Sequence, residues 1–184
     1  MNRIALMISD RLDAWLPAPP IRTHHRRAAA TTPDRLWACA RGVRLADTRT
    51  LGHLVRWRIP GTDPDSTFDQ LLRGYPFTVL EESEHLLVSG LCGRIWTPAR
   101  DYPRLREAAD FRDWDESGTV RVLIAHWAQS LMNGRTEIIS EARVAPVDRS
   151  AARRLRALWM IVGPFDYLVA AEALTVAVRR AEKR

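Results

Sequence analysis

Arg94, His126, Glu141 and Arg143 carry side chains able to do chemistry, and each falls in or beside a strand-like stretch of the sequence. Glu141 and Arg143 stand two apart, so a strand places both on one face. A hairpin with a two-residue turn sets His126 on that same face, and the Gly93-Arg94-Ile95-Trp96 segment brings Arg94 within reach. Such a set has two readings. As a solvated charge ladder it contributes about 0–1 kcal/mol per pair. As a polar handle it orients a ligand's carbonyl or carboxylate, or supplies groups for acid–base chemistry. Other chemical motifs are missing, including the Gly-x-Ser-x-Gly elbow, His-Glu-x-x-His, a Gly-rich phosphate loop and a Cys–His pair. The adjacent His24 and His25 point to opposite faces of a strand and lack a further ligand, while His53 and His85 stand alone. No catalytic residue, metal site or cofactor is assigned.

The elements that must position these residues follow from apolar spacing. Ile4, Ile8, Leu12 and Trp15 mark a short amphipathic helix ended by Pro17-Ala18-Pro19-Pro20. A strand is expected from Thr23 to Ala30. Thr32-Pro33-Asp34 then starts a helix that buries Leu36, Trp37 and Ala40 and stops at Gly42. Helical turns follow over 48–58 and 66–73. Four strands are expected over 77–82, 85–92, 120–129 and 136–144, the last two joined through Asn133-Gly134, a strong hairpin signal. Residues 97–117 read as a long loop with a helical turn. From Asp148 to Ala181 a helical apolar period runs to the end, interrupted at Gly163-Pro164, where a kink or break is expected. The order defines an α+β domain whose terminal helix packs on one face of a curved antiparallel sheet. Residues 1–20 form a helical lead-in and 21–184 the domain proper.

Composition excludes other classes. At 184 residues, 46% apolar and 27% charged, the chain is expected to fold as one globular domain, not a disordered or disulfide-stapled one. The net charge is +6, but Lys183 is the only lysine and the arginines are scattered among carboxylates, so no nucleic-acid footprint is expected. Cys39 and Cys92 sit in no metal or CxxC spacing and read as small core residues of a reducing compartment. The N-terminal apolar run, cut off at Asp10, is too short for a signal peptide or a membrane span. A cytosolic location, with no integral membrane contact, is the expectation.

Four stretches carry a family resemblance: Ala30-Thr31-Thr32-Pro33-Asp34-Arg35-Leu36-Trp37, Gly90-Leu91-Cys92-Gly93-Arg94-Ile95-Trp96, Gly134-Arg135-Thr136-Glu137-Ile138-Ile139-Ser140-Glu141-Ala142-Arg143-Val144, and Leu158-Trp159-Met160-Ile161-Val162-Gly163-Pro164-Phe165. In this order and spacing, over about Thr23 to Glu182, the chain resembles the START-like helix-grip (SRPBCC) superfamily, in its uncharacterised bacterial branch. Thr-Thr-Pro-Asp stands where that pattern has Ala-Pro-Pro-Glu, and Ser-Glu-Ala-Arg where it has Thr-Glu-Thr-Arg. The resemblance implies a curved sheet gripping a long C-terminal helix, with an apolar cavity between them for lipids, sterols or polyketides.

With the two-residue turn, Leu123, Trp127, Ile138, Ser140 and Ala142 share the more apolar face, which is therefore assigned to the cavity. Phe77, Leu91 and Trp96 join them, and Trp159 and Phe165 face them from the helix. The leading function is binding or carriage of a small hydrophobic molecule, without catalysis. The alternatives are a polyketide cyclase or dehydratase using Arg94, His126, Glu141 and Arg143, and a protein-interaction module with a filled core that docks through the Ile4/Ile8/Leu12/Trp15 stripe.

Overall fold

In a computed structural model, residues 3–58, 62–97, 102–163 and 166–183 are described. Helix α1 (Arg3–Trp15) precedes strand β1 (Ile21–Ala29), followed by α2 (Pro33–Arg41), α3 (Thr50–Arg58) and α4 (Phe68–Arg73). Strands β2 (Thr78–Ser83) and β3 (Leu86–Gly93), the short α5 (Ala108–Arg112), and strands β4 (Val120–Ser130) and β5 (Thr136–Pro146) come next. Two helices close the chain, α6 (Arg149–Val162) and α7 (Asp166–Glu182). The class is α+β, and the terminal helical period is divided between Val162 and Asp166; Pro164, where the sequence places the break, lies outside the described residues.

The helix starts follow local chemistry. Thr32 caps α2 by accepting from the Arg35 N–H, with Pro33 in the first turn, where its missing N–H costs nothing. Thr67 and Gln70 form a reciprocal capping box on α4, and Asp148 caps α6 through the Ala151 N–H at 2.8 Å.

All strand pairs of the curved five-stranded sheet are antiparallel, in the order β1-β5-β4-β3-β2. Its two faces are set by the β4–β5 hairpin, whose register corrects the sequence expectation. The chain does not turn in two residues. It uses a three-residue connection, 132–134, closed by the Leu131 N–H donating to the Arg135 carbonyl at 2.8 Å, with Gly134 at φ +75°. The extra residue slides the pairing by one step, so His126 faces Ser140 and Ile124 faces Ala142.

Even-numbered residues of both strands therefore share one face, beneath α2 and α7, and odd-numbered residues share the other. The odd face holds Leu123, Ala125, Trp127 and Ile139, packed with Ile8, Leu12, Leu16 and Phe111. Phe111 comes so close that a Cβ on Gly90 would lie 2.6 Å from its ring, which is why β3 carries glycine there. With both faces covered, every residue of β3 is buried. The α1 stripe expected as a docking surface is thus occupied within the fold, at least through Ile8 and the fully buried Leu12. Among the described residues no helix is long and apolar enough to cross a membrane.

Because Leu12 has no exposed surface, Leu12→Ala should cost about 2–5 kcal/mol. Urea unfolding at an unchanged m-value would show that α1 belongs to the cooperative unit. A cost under about 0.5 kcal/mol, the range of surface changes, would show that it does not.

Candidate functional site

A cavity of about 230 Å³ lies on the even face of the sheet. Its floor is Ile124, His126, Ile138, Ser140 and Ala142 from β4 and β5. Trp37 and Ala40 of α2, Leu51 and Val55 of α3, Phe68 and Leu72 of α4, and Ala173 and Leu174 of α7 enclose it. The volume exceeds the roughly 150 Å³ of apolar cavities that admit a benzene ring, so it has room for a small organic molecule.

The covering helices are held by two charged contacts. Glu172 on α7 accepts the N–H groups of Thr50 and Leu51, each at 3.0 Å, fixing the α3 N-terminus where a negative charge also meets the helix dipole. Asp69 at the start of α4 takes Arg41 from α2 and Arg73 from its own helix, both at 2.9 Å. Arg73 continues to Glu82 on β2, which secures α4 to the sheet edge. Arg73 is held well above its ordinary range by these two carboxylates, Glu82 first.

Polar groups on the apolar wall are few. The His126 imidazole makes no hydrogen bond among the described residues, and neither does the Ser140 hydroxyl opposite it. Burial lowers the His126 pKa to about 4, against a weaker upward pull from Asp69, so the ring is neutral at physiological pH. A neutral imidazole has one donor and one acceptor nitrogen, and both lack a partner among the described residues.

No protein-family model matches this chain, and no curated protein matches it. Among solved structures it is similar to a hypothetical protein from Helicobacter pylori, at 10% identity over 92% of this chain and 93% of that one, with a TM-score of 0.41. It is also similar to the Zhui aromatase/cyclase from Streptomyces sp. R1128, at 17% identity over 89% and 94%, with a TM-score of 0.34.

The sequence-derived candidates divide between the faces. Phe77, Ile138, Ser140, Ala142 and His126 border the cavity. Leu91 lies on the cavity face but packs with Tyr102 and Phe77. Trp96 is displaced toward Leu155 of α6, and Trp159 folds back against Gly163 at the end of that helix. Phe165 lies outside the described residues. Leu123 and Trp127 are on the opposite face, a consequence of the one-step register shift. The same shift reverses the expected grouping of His126 with Glu141 and Arg143. Arg94 is exposed and among the described residues pairs with Glu116, at 3.7 Å.

Glu141 and Arg143 instead form a buried cluster under α1. The Arg143 guanidinium, with no exposed surface, donates to Glu141 at 2.6 Å, to Asp13 of α1 and to the Leu16 carbonyl at 3.1 Å. One terminal nitrogen has no hydrogen-bond partner among the described residues. Arg22 of β1 closes on Glu141 from the other side at 2.8 Å. His24 sits on this face against Trp127, its ring centroid 6.1 Å away, and burial lowers its pKa. His25 falls on the other face, as adjacent strand residues must. Away from both groups, His85 bonds Asp34 at 2.8 Å beside Glu84 on the surface.

Trp37, Leu51, Phe68 and Leu174 line the cavity but were not singled out as ligand contacts. Their helical stripes are visible in the sequence, whereas the sheet face that each stripe meets is not.

Arg143→Ala removes one partner of a buried charge pair and should cost about 3–5 kcal/mol in urea unfolding, whereas Asp13→Ala, at the half-exposed end, should cost about 1 kcal/mol or less. The pH dependence has a definite sign. Below its ordinary pKa of 6.5 His126 is protonated in the unfolded chain while it stays neutral in the fold down to about 4. The unfolded state then binds more protons, so stability falls as pH drops across that window and is full above it. Thermal melts of His126→Gln should show a shallower decline between those pH values than the parent protein.

Proposed function

We propose that this protein binds a small, mostly apolar molecule in the cavity under α2, α3, α4 and α7, with no chemistry performed on it. The supporting observation is His126, a neutral imidazole in an apolar wall with no hydrogen-bond partner among the described residues. The half-buried imidazole keeps surface open to the cavity, where one hydroxyl or carbonyl on an otherwise apolar ligand supplies its missing hydrogen bond. Ser140, across the strand pair, offers a second such contact.

Volume sets the scale, since about 230 Å³ favours a ligand of roughly one or two rings over an intact sterol or a two-chain lipid. Charge sets the polarity. Asp69 is engaged by two arginines at the rim, which leaves the wall suited to a neutral ligand. Residues 21–184 are the ligand-holding unit in this reading, and 1–20 close its far face. A cyclase-like reaction would call on Arg94, Glu141 and Arg143 together with His126, and of these only His126 borders the cavity.

Native mass spectrometry of the purified protein beside a denatured control is the test. The reading expects a bound small molecule, lost on denaturation and extractable into organic solvent. Ala142→Leu and Ile124→Trp, which fill the floor, should abolish it, and His126→Phe should lower affinity about tenfold, the worth of one buried hydrogen bond. Apo protein with no thermal shift across a panel of neutral aromatic and aliphatic alcohols and ketones would refute it.

A further inference from the structure

Most arginines are spread along the chain, but four fall within residues 149–156 and so on one helix, α6. Arg149, Arg153, Arg154 and Arg156 are all exposed, and the helix contains no aspartate or glutamate. None of the four makes an ion pair or side-chain hydrogen bond among the described residues. Elsewhere in the protein arginines are commonly paired, as in Arg41–Asp69, Arg44–Asp47 and Arg73–Glu82. The nearest carboxylate in sequence, Asp148, is taken by Ser117, Gly118 and the Ala151 N–H.

The same helix leaves large apolar side chains in solvent. Met160 is 72% exposed and Ile161 71%. Their placement is ordered. Arg149, Arg153, Arg156 and Met160 follow one another at four- and three-residue steps, and Arg154 and Ile161 lie seven apart, so each apolar residue continues a row begun by arginine. Ala151 and Leu155, on the opposite side, anchor the helix to the domain. The outward face is therefore basic for its first turns and apolar at its last.

We propose that the outer face of α6 docks on an anionic lipid bilayer, with the arginines at the headgroups and Met160 and Ile161 entering the acyl boundary. Charge complementarity favours this occupant. Four unpaired cations facing a second copy of a chain with net charge +6 would repel it. A nucleic acid would use the arginines but give Met160 and Ile161 no apolar surroundings, whereas an anionic bilayer serves both. The surface is independent of what the cavity holds.

Vesicle co-sedimentation of the full chain tests it, with phosphatidylcholine alone against a phosphatidylcholine–phosphatidylglycerol mixture, at low and high salt. Binding is expected only to the mixed vesicles, and to weaken with salt. Arg153→Ala with Arg156→Ala should lower affinity roughly 25-fold, at about fivefold per cation. Met160→Ser with Ile161→Ser should lower it more than tenfold. All four positions are exposed, and melting curves of the variants check that the fold is kept. Equal binding to both vesicle types, or binding to neither, overturns the proposal. Vesicle binding that falls with the arginines but not with Met160 and Ile161, alongside duplex-DNA binding of the same dependence, overturns it in favour of a general polyanion site. A dimer in solution that the Met160/Ile161 variant dissolves, without vesicle binding, assigns the face to self-association instead.

Discussion

The rest of the structure depends on a guanidinium that has been taken out of water. Arg143, on strand β5 between β1 and β4, would be a heavy desolvation cost without Glu141 beside it and Asp13 and the Leu16 carbonyl above it. Two of those partners come from α1 or its end, so the charge is satisfied only when that helix lies across the sheet. Its apolar stripe then closes the odd face over Leu123, Trp127 and Ile139. With that side sealed, space for a guest is found on the even face.

The two faces solve different problems. The odd face is filled, with aromatic rings and aliphatic chains interleaved and a charge network at one end. The even face is roofed by α7 and the short helices α2, α3 and α4, which leave the cavity between them and the sheet. Their positions are fixed from outside by Glu172 on the α3 backbone and by the Arg41–Asp69–Arg73 linkage. The cavity wall is thus mostly apolar, with His126, Ser140 and Thr23 on the sheet and the paired Arg41 and Asp69 as its polar members.

Much of this was legible in the sequence, because element type depends on local pattern. Thr32-Pro33 announces α2, helical turns are readable over 66–73 where α4 forms, and the terminal helical period divides between Val162 and Asp166. The strand positions of Ile138, Ser140 and Ala142, and their membership of one face, were legible too. What the pattern did not contain is parity. Strand β4 is apolar at both even and odd positions, since both faces are covered, and so lacks the alternation that would reveal its inward side. The choice then rested on the length of one turn. Asn133-Gly134 suits a two-residue turn and equally a three-residue one with glycine left-handed, and the fold uses the latter. His126 and Trp127 exchange places for that reason alone. The α6 surface was hidden differently, since only a helical projection aligns Arg149, Arg153 and Arg156 with Met160.

Connections between strands are ordinarily where a lineage absorbs insertions and deletions without harm. The 132–134 connection is an exception. Loss or gain of a single codon there would slide β5 against β4 by one step and break the agreement between their faces. Either strand would then turn the wrong side inward: a carboxylate and a guanidinium into the apolar chamber, or a tryptophan in place of the histidine. The length of this short, exposed loop should therefore be guarded as strictly as any core position, while its side chains, such as the fully exposed Met132, remain free to drift.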